Sequence, residues 1–415
     1  MSGLSLFLFK LRSRRQLDYE LPTKNLTLLD NLNRLAGTQQ DRLPVNHTVD
    51  NYLCSIGPQP LVELRDQQLR PLIRNKVFDA ARLQGYFLLL IDASDYLTFK
   101  ERHCPHCLTQ SNGSSTTYKH PVLEAKLLGP ASIVASLGTV FLENADTAAS
   151  AKNASAEQRK QDCELKAFGR LAPQVKSQYP QMRICIAGDG LYACGATLAE
   201  AKANNWAYVL ILKEGRIPSV WDEFQRLLPL VPGNCVEMIT PEKVRKVYRW
   251  VNDISYTDTE KRQWTFTVLQ CEETKDGETT RWVWITDLEV NRNTVVEVAD
   301  RGGRMRWCEE NEGFNTQKNS DLNMEHAYSE DEEGLKVYYL LIQIAHLILQ
   351  LLEKGSLLRN LAKEQGKTVL SLFGSLKNIA KRLRDSFIRI RIDDDAYSAE
   401  AARHRQIRLA KLDSS

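Results

Sequence analysis

The chain has 415 residues, 43% of them hydrophobic, with only 21 Gly and 14 Pro; it can bury a large core, is not low-complexity, and is long enough for two or three structural units. The formal net charge of +3 is unevenly spread: Met1–Tyr86 holds 12 Lys/Arg against 8 Asp/Glu and Lys354–Ser415 holds 14 against 7, so basic ends flank an acidic centre. That balance suits an enzyme that grips phosphates with its flanks and gathers carboxylates centrally, although ordinary solvated faces give the same count.

The first residues, Met1–Phe9, are apolar but lack a charged start and a small-residue cleavage site, so a secretory signal is not expected. Nine cysteines without such a signal point to reduced thiols in a cytoplasm. Residues 1–83 read as short helices: Leu26, Leu28, Leu29 and Leu32 share a face, Val62, Leu69, Leu72 and Val77 repeat the pattern, and Pro58, Pro60 and Pro71 punctuate it.

At Gly85 the pattern changes. Tyr86–Ile91 is a continuous apolar run, expected as a strand buried on both faces and ending at Asp92. Residues Thr117–Leu128 and Ser132–Leu142 read as two antiparallel strands, and Ala156–Leu171 as an amphipathic helix. A second buried strand, Arg183–Ala187, also runs into an acid, Asp189. Thr197–Asn204 is then a helix, Trp206–Leu212 a strand and Ser219–Leu228 a helix. From about Lys243 to Val290 the chain looks β-rich, with Trp264–Leu269 facing Arg281–Ile285 across the turn Lys275-Asp276-Gly277.

Helices follow. The apolar run Val337–Leu352 carries Gln343, His346 and Gln350 on one stripe and falls short of the roughly 20 apolar residues a membrane span needs, so it reads as a buried core helix. The basic stretch Lys377–Arg391 suits a phosphate backbone or a solvated helix face. No Walker-type phosphate loop is present, which argues against an ATPase.

The order of elements is that of a ribonuclease H-like α/β domain: a mixed sheet with flanking helices, a β-rich insertion, and helical N- and C-terminal regions. The expected division is 1–83 (helical, DNA-end binding), 84–237 with 283–353 (catalytic), 238–282 (insertion) and 354–415 (basic helical tail). A right-handed crossover sets strands 86–91 and 183–187 side by side with both carboxyl ends on one edge, where open α/β sheets bind ligands. Two carboxylates held that close repel unless a cation lies between them, and hard oxygen donors select Mg²⁺ or Mn²⁺. Asp92 and Asp189 are thus the first two expected ligands. Glu309, Glu310 and Glu312 are candidates for the third. Arg306, Glu310, Phe314 and Lys318 follow one another at i, i+4 and share one expected face, which selects Glu310 and keeps Glu312 in reserve because Gly313 can distort the helix; a plain Arg306–Glu310 pair on a solvated helix face is the alternative.

Three blocks, Asp92-Ala93-Ser94, Gly188-Asp189-Gly190-Leu191-Tyr192 and Arg306-Trp307-x-x-Glu310-Asn311-Glu312-Gly313-Phe314-Asn315-x-x-Lys318, resemble the catalytic motifs of insertion-sequence DDE transposases, which carry an Arg-x3-Glu-x6-Lys signature. The resemblance spans about Tyr86–His326. It implies metal-dependent DNA cleavage and strand transfer, with Asp92, Asp189 and Glu310 holding Mg²⁺ (or Mn²⁺) and Arg306 and Lys318 contacting DNA. It also implies double-stranded DNA (element ends and target) as partner, a homodimer or higher oligomer on DNA, end recognition by the N-terminal region with Arg65, Arg70, Arg74 and Lys76 as phosphate contacts, a cytoplasmic location and no membrane partner. Three departures stand out: seven residues rather than six separate Glu310 from Lys318, Gly303 replaces an expected tyrosine, and Ala93 follows Asp92. Rival readings are a nuclease with the same core that does not join strands, and a non-catalytic DNA-binding derivative.

A smaller constellation lies after the first strand, His103-Cys104-Pro105-His106-Cys107. Cys-x2-Cys supplies half of a tetrahedral zinc site, which His120 and Cys163 are candidates to complete; an inert thiol pair is the alternative.

Overall fold

The computed structural model describes residues 1–21, 24–102, 104–113, 115–144 and 162–393. Ten strands form one mixed sheet: β1 (Phe87–Phe99), β2 (Leu108–Asn112), β3 (Ser115–Leu128), β4 (Val134–Phe141), β5 (Ile184–Gly188), β6 (Ala207–Ile211), β7 (Cys235–Ile239), β8 (Arg245–Thr257), β9 (Gln263–Lys275) and β10 (Glu278–Thr286). The spatial order is β2-β3-β1-β5-β6-β10-β9-β8-β7, with β4 beside β2 on the outer edge of β3. Strand β3 is antiparallel to β1 and β4, whereas β1, β5 and β6 run parallel. These five strands therefore lie in the order β4-β3-β1-β5-β6.

The β-rich stretch does not stand apart. Strand β10 pairs antiparallel with β6, so the insertion continues the same sheet from that edge. Its hairpin turns at Asp276 and Gly277, both at positive φ (52° and 87°), the two-residue turn that Asp-Gly favours.

Strand alternation decides what each face meets. Phe87, Leu89 and Ile91 pack with Phe168, Leu171 and Leu198 of helices α6 (Glu164–Gln178) and α7 (Gly195–Asn204). Leu88 and Leu90 pack on the other face with Cys185, Ala187, Val298, Ala299 and Cys308. Each such side chain gains roughly 1.5–3 kcal/mol on leaving water, which locks the register, since a slip by one residue would expose the whole set. Of the helix expected at Ala156–Leu171, residues 156–161 lie outside the described residues, and α6 begins at Glu164.

The N-terminal helices α1 (Ser2–Leu8), α2 (Arg14–Glu20), α3 (Leu26–Ala36), α4 (Asn46–Ile56) and α5 (Gln59–Arg74) are joined to the rest by a common core. Leu6, Phe7, Leu28, Leu53 and Leu61 pack with Tyr338, Leu341, Ile344 and Ala345 of the long helix Glu332–Lys354. Asn31 of α3 donates to the carbonyls of Phe387 and Ile390 at 2.9 and 2.7 Å, tying in the C-terminal helix Leu376–Arg389. Residues 1–83 thus brace the sheet and are not a detached unit. Arg65, expected at the surface, is 3% exposed and donates to Thr139 of β4 at 3.1 Å, so it is a core residue; Arg70, Arg74 and Lys76 are exposed.

Helix Glu332–Lys354 begins the one helical stretch among the described residues that is long and apolar enough to cross a membrane, and 78% of its apolar window is buried within the fold. Its polar stripe is bonded from inside, except at His346 Nε2, which is buried without a hydrogen-bond partner among the described residues. Gln350 exchanges two hydrogen bonds of 2.9 Å with the Val134 backbone, and Gln343 and His346 meet Gln317 at 2.7 and 3.0 Å. A core helix, as the short apolar run suggested, is what the chain forms.

Candidate active site

Strand β1 does not stop at Asp92. It continues to Phe99, paired with β3 through a bulge between Asp95 and Leu97, because β3 is long enough to keep bonding it after β5 has ended. Asp92 is therefore in mid-strand, and Asp189 follows the last residue of β5. The ladder pairs Leu88 with Cys185 and Leu90 with Ala187, and the same offset sets Asp92 beside Asp189. Both aspartates continue the alternation of residues that face the helical segment after β10, which carries the glutamates.

That segment is wound unevenly. Gly303–Arg306 is a 3₁₀ turn, Glu309–Asn315 a π-helical turn and Thr316–Asn319 an α-helical turn. Gly303 lies flat on the Trp284 indole, where a Cβ would come within 2.3 Å of Nε1, so no side chain, least of all a tyrosine, fits there. A π turn carries one residue more than an α turn, which absorbs the extra residue between Glu310 and Lys318.

The three glutamates go to three different places. Arg306 donates to Asp92 Oδ2 at 3.0 Å and reaches Glu310 Oε2 at 3.6 Å, so one guanidinium spans a strand carboxylate and a helix carboxylate. Glu312 pairs instead with Lys354 at 2.6 Å, and Glu309 is wholly buried against Lys126 at 3.2 Å. The expected common face breaks after Glu310: Phe314 is buried under the Lys126 ammonium, 4.2 Å from its ring centre, and Lys318 pairs with Glu325 at 2.8 Å. The π turn is the reason, because positions four apart stop being stacked when the winding loosens.

Asp189 accepts from the Leu191 amide at 2.8 Å and lies 3.8 Å from Lys213. Burial pushes Asp92 above the usual carboxylate range; Arg306 and the Ala93 amide oppose this, and Asp189 and Glu310 add to it. A fourth acid, Glu164 at the start of α6, is raised by burial and by Asp92 and accepts from Tyr192 Oη at 3.3 Å. Sequence reasoning passed over Glu164 because nothing in a polar helix start marks it as facing the strand edge. A cleft of about 460 Å³ opens beside these acids, lined by Ala93, Asp95, Glu164 and Leu191.

Beneath the site lies a buried charge cluster that the sequence did not single out. Glu124 is the cross-strand partner of Asp92, and Glu124, Lys126 and Glu309 are all 0% exposed. Two carboxylates share one ammonium, and burial raises Glu309 to about 8, with Lys126 opposing and Glu124 and Asp92 adding to the shift. Thr139 donates to Glu124 at 2.5 Å. Gly313 makes room for the cluster, since a Cβ there would come 2.7 Å from Lys126 Nζ.

Among the described residues, two groups bring three metal-ligating atoms within 4.8 Å of one another: Cys104, Cys107 and His120, and Cys271, Glu273 and Asp300. The second is already balanced by Lys246, 2.9 Å from Glu273 and 3.0 Å from Asp300. Asp92, Asp189 and Glu310 are more widely set, with Arg306 taking up the charge between the first and third. Compared with known proteins, the chain matches no family model and no curated sequence.

Proposed function

We propose that the chain is a DNA transposase of the DDE type, which cuts DNA at the ends of an insertion sequence and joins the freed strand to a target. The observation that carries this reading is the meeting of Asp92, Asp189 and the Arg306–Glu310 pair at one sheet edge, from two parallel strands and a following helix. The strand order β4-β3-β1-β5-β6, three antiparallel and then two parallel, supports a ribonuclease H-like core. The donors are all carboxylate oxygens, and Asp189 and Glu310 add to the upward push that burial gives Asp92, a donor set suited to Mg²⁺ or Mn²⁺.

In this reading Asp92, Asp189 and Glu310 hold the metal, which when bound activates the attacking oxygen and steadies the leaving one. Arg306 orients Asp92 and Glu310 and, with Lys213, gives the edge the positive charge a phosphate needs; Lys318 contacts the DNA backbone farther along. Double-stranded DNA is the partner, a homodimer or higher oligomer forms on it, and the setting is cytoplasmic. A strand-transfer assay with labelled element ends tests the proposal. Joined product supports it; hydrolysis without joining favours a nuclease with the same core, and binding without cleavage favours a non-catalytic derivative.

Two predictions arise here. Glu310→Gln is expected to be inactive and Glu312→Gln to keep part of its activity, because Glu312 is engaged by Lys354 and Glu310 by the residue that also holds Asp92. The reverse order in a cleavage assay would reassign the third ligand. Replacing exposed Arg70, Arg74 and Lys76 with glutamine should flatten the salt dependence of binding to terminal DNA by about one unit of log–log slope per lost contact. An unchanged slope would move end recognition to the basic helix Leu376–Arg389.

A further inference from the structure

Far from the carboxylates in chemistry, a second group of donors converges in the arm formed by β2 and the outer halves of β1 and β3. Cys104 and Cys107 lie in the connection between β1 and β2, and His120 lies on β3 in register with Leu97. Their exposures are 6%, 0% and 2%, so all three point inward. The two sulphurs are 3.2 Å apart, and both approach the same imidazole nitrogen, Nε2 of His120, at 3.4 Å from Cys104 and 3.3 Å from Cys107.

Hydrogen bonding alone is a poor account of this triangle. A neutral imidazole has one acceptor lone pair, in the ring plane, and takes one S–H donor well. Two thiols aimed at one nitrogen, and at each other, instead mark a point that all three donors surround. A tetrahedral zinc ion with bonds of about 2.3 Å to sulphur and about 2.0–2.1 Å to nitrogen separates sulphur from sulphur by roughly 3.8 Å and sulphur from nitrogen by roughly 3.6 Å; the sulphur–nitrogen spacings here are within about 0.3 Å of that and the sulphur–sulphur spacing within about 0.6 Å. The donor types, two thiolates and an imidazole, also fit zinc better than the hard ions suited to the carboxylate edge.

We propose that Cys104, Cys107 and His120 bind a structural zinc ion that fastens the β1–β2 connection to β3. Of the neighbouring candidates, Cys163 is exposed at the start of α6 and is not a member of the cluster, contrary to the sequence-based expectation. His106 is turned elsewhere, with Nδ1 2.9 Å from the Asn144 carbonyl and Nε2 3.7 Å from Glu332. His103 lies outside the described residues. The connection is seated from its other side, where Asn144 donates from its side chain to the Cys107 carbonyl at 3.0 Å and from its backbone to the His106 carbonyl at 3.0 Å. The metal would hold the connection between Phe99, the end of β1, and Leu108, the start of β2, against β3.

The test is the metal content of the full-length protein purified without chelator, together with the absorption spectrum after exchange with Co²⁺. The expected result is about one zinc per chain and, in the cobalt form, sulphur-to-metal charge-transfer bands with the intense visible bands of a tetrahedral site. Cys107→Ser should lose metal, His120→Cys should keep it with a spectrum shifted toward more sulphur ligation, and Cys163→Ser should bind as the wild type does. Asp92→Ala should also keep its zinc, which separates this site from the carboxylate edge and leaves the proposal standing if the transposase reading fails. Should Cys107→Ser not fold, the wild-type cobalt spectrum still decides. Metal-free protein with two freely titrating thiols, a Cys104–Cys107 disulfide, or a cobalt spectrum without sulphur bands would each overturn the proposal.

Discussion

Asp92→Ala and Asp189→Ala are each expected to abolish Mg²⁺-dependent cleavage, by on the order of 10⁴-fold or more, the scale on which members of one catalytic unit fail. Binding to element ends should survive, because phosphate contacts and metal ligation use different side chains. For Asp92 the structure adds a sign. Arg306 is held at 3.0 Å by this carboxylate, so removing it frees a guanidinium at the sheet edge, and Asp92→Ala should bind DNA as tightly as the wild type or somewhat more tightly. Both aspartates are partly exposed, at 22% and 31% of the side chain, so neither substitution opens a core cavity, and a circular dichroism melt should confirm an intact fold. Mg²⁺-dependent cleavage retained by either variant would remove the catalytic assignment.

The largest expected effect on stability is at Lys126. It is wholly buried, paired with Glu309 at 3.2 Å and placed on the same strand face as Glu124. With Glu309 holding its proton in the folded state, the charge that Lys126 balances is Glu124, and removing the ammonium leaves that buried carboxylate uncompensated at about 3–5 kcal/mol, so Lys126→Met should lower the denaturation midpoint sharply although methionine fills nearly the same volume. A loss below about 1 kcal/mol, ordinary for a point mutation, would show that the cluster is not held by charge. The sign of its pH dependence follows from Glu309, whose folded value of about 8 lies above the ordinary 4.5. The folded state then holds a proton that the unfolded state releases, so this group's contribution is fully present below about pH 4.5 and is lost as pH rises through about 8. Glu309→Gln cannot titrate and should lack that decline; thermal melts of both proteins between these limits would show it. Parallel curves would mean that Glu309 is ionised throughout.

Much of the architecture was legible because it rests on local patterns. Apolar runs at 86–91 and 183–187 announced buried strands, the turn Lys275-Asp276-Gly277 announced a hairpin, and the polar stripe on an apolar helix announced a core element. The two aspartates could be found for the same reason, as acids ending or interrupting buried strands. Helical spacing also singled out Glu310 from its neighbours; its 3.6 Å contact with Arg306 is one that a plain ion pair on a solvated helix face makes equally well.

Other features depend on partners distant in the chain, which no local pattern reports. Strand β1 outruns its apolar segment because β3 keeps pairing it, and Arg65 is buried because β4 supplies a hydroxyl acceptor 74 positions away. Glu164 joins the acids only through the crossover that sets α6 against the sheet, and Cys163, one residue earlier, misses the thiol cluster for the same geometrical reason. The sequence by itself determined most of the elements, their order and the acids at the strand edge, since hydrophobic periodicity is written into neighbouring residues; the polar strand β2 and the half-exposed β7 carry no such pattern and went unread. Tertiary structure alone decided the winding of the glutamate segment. There Gly303 is seated on Trp284, and between the burial of Glu309 against Lys126 and the pairing of Lys318 with Glu325 a π turn, Glu309–Asn315, takes up the extra residue.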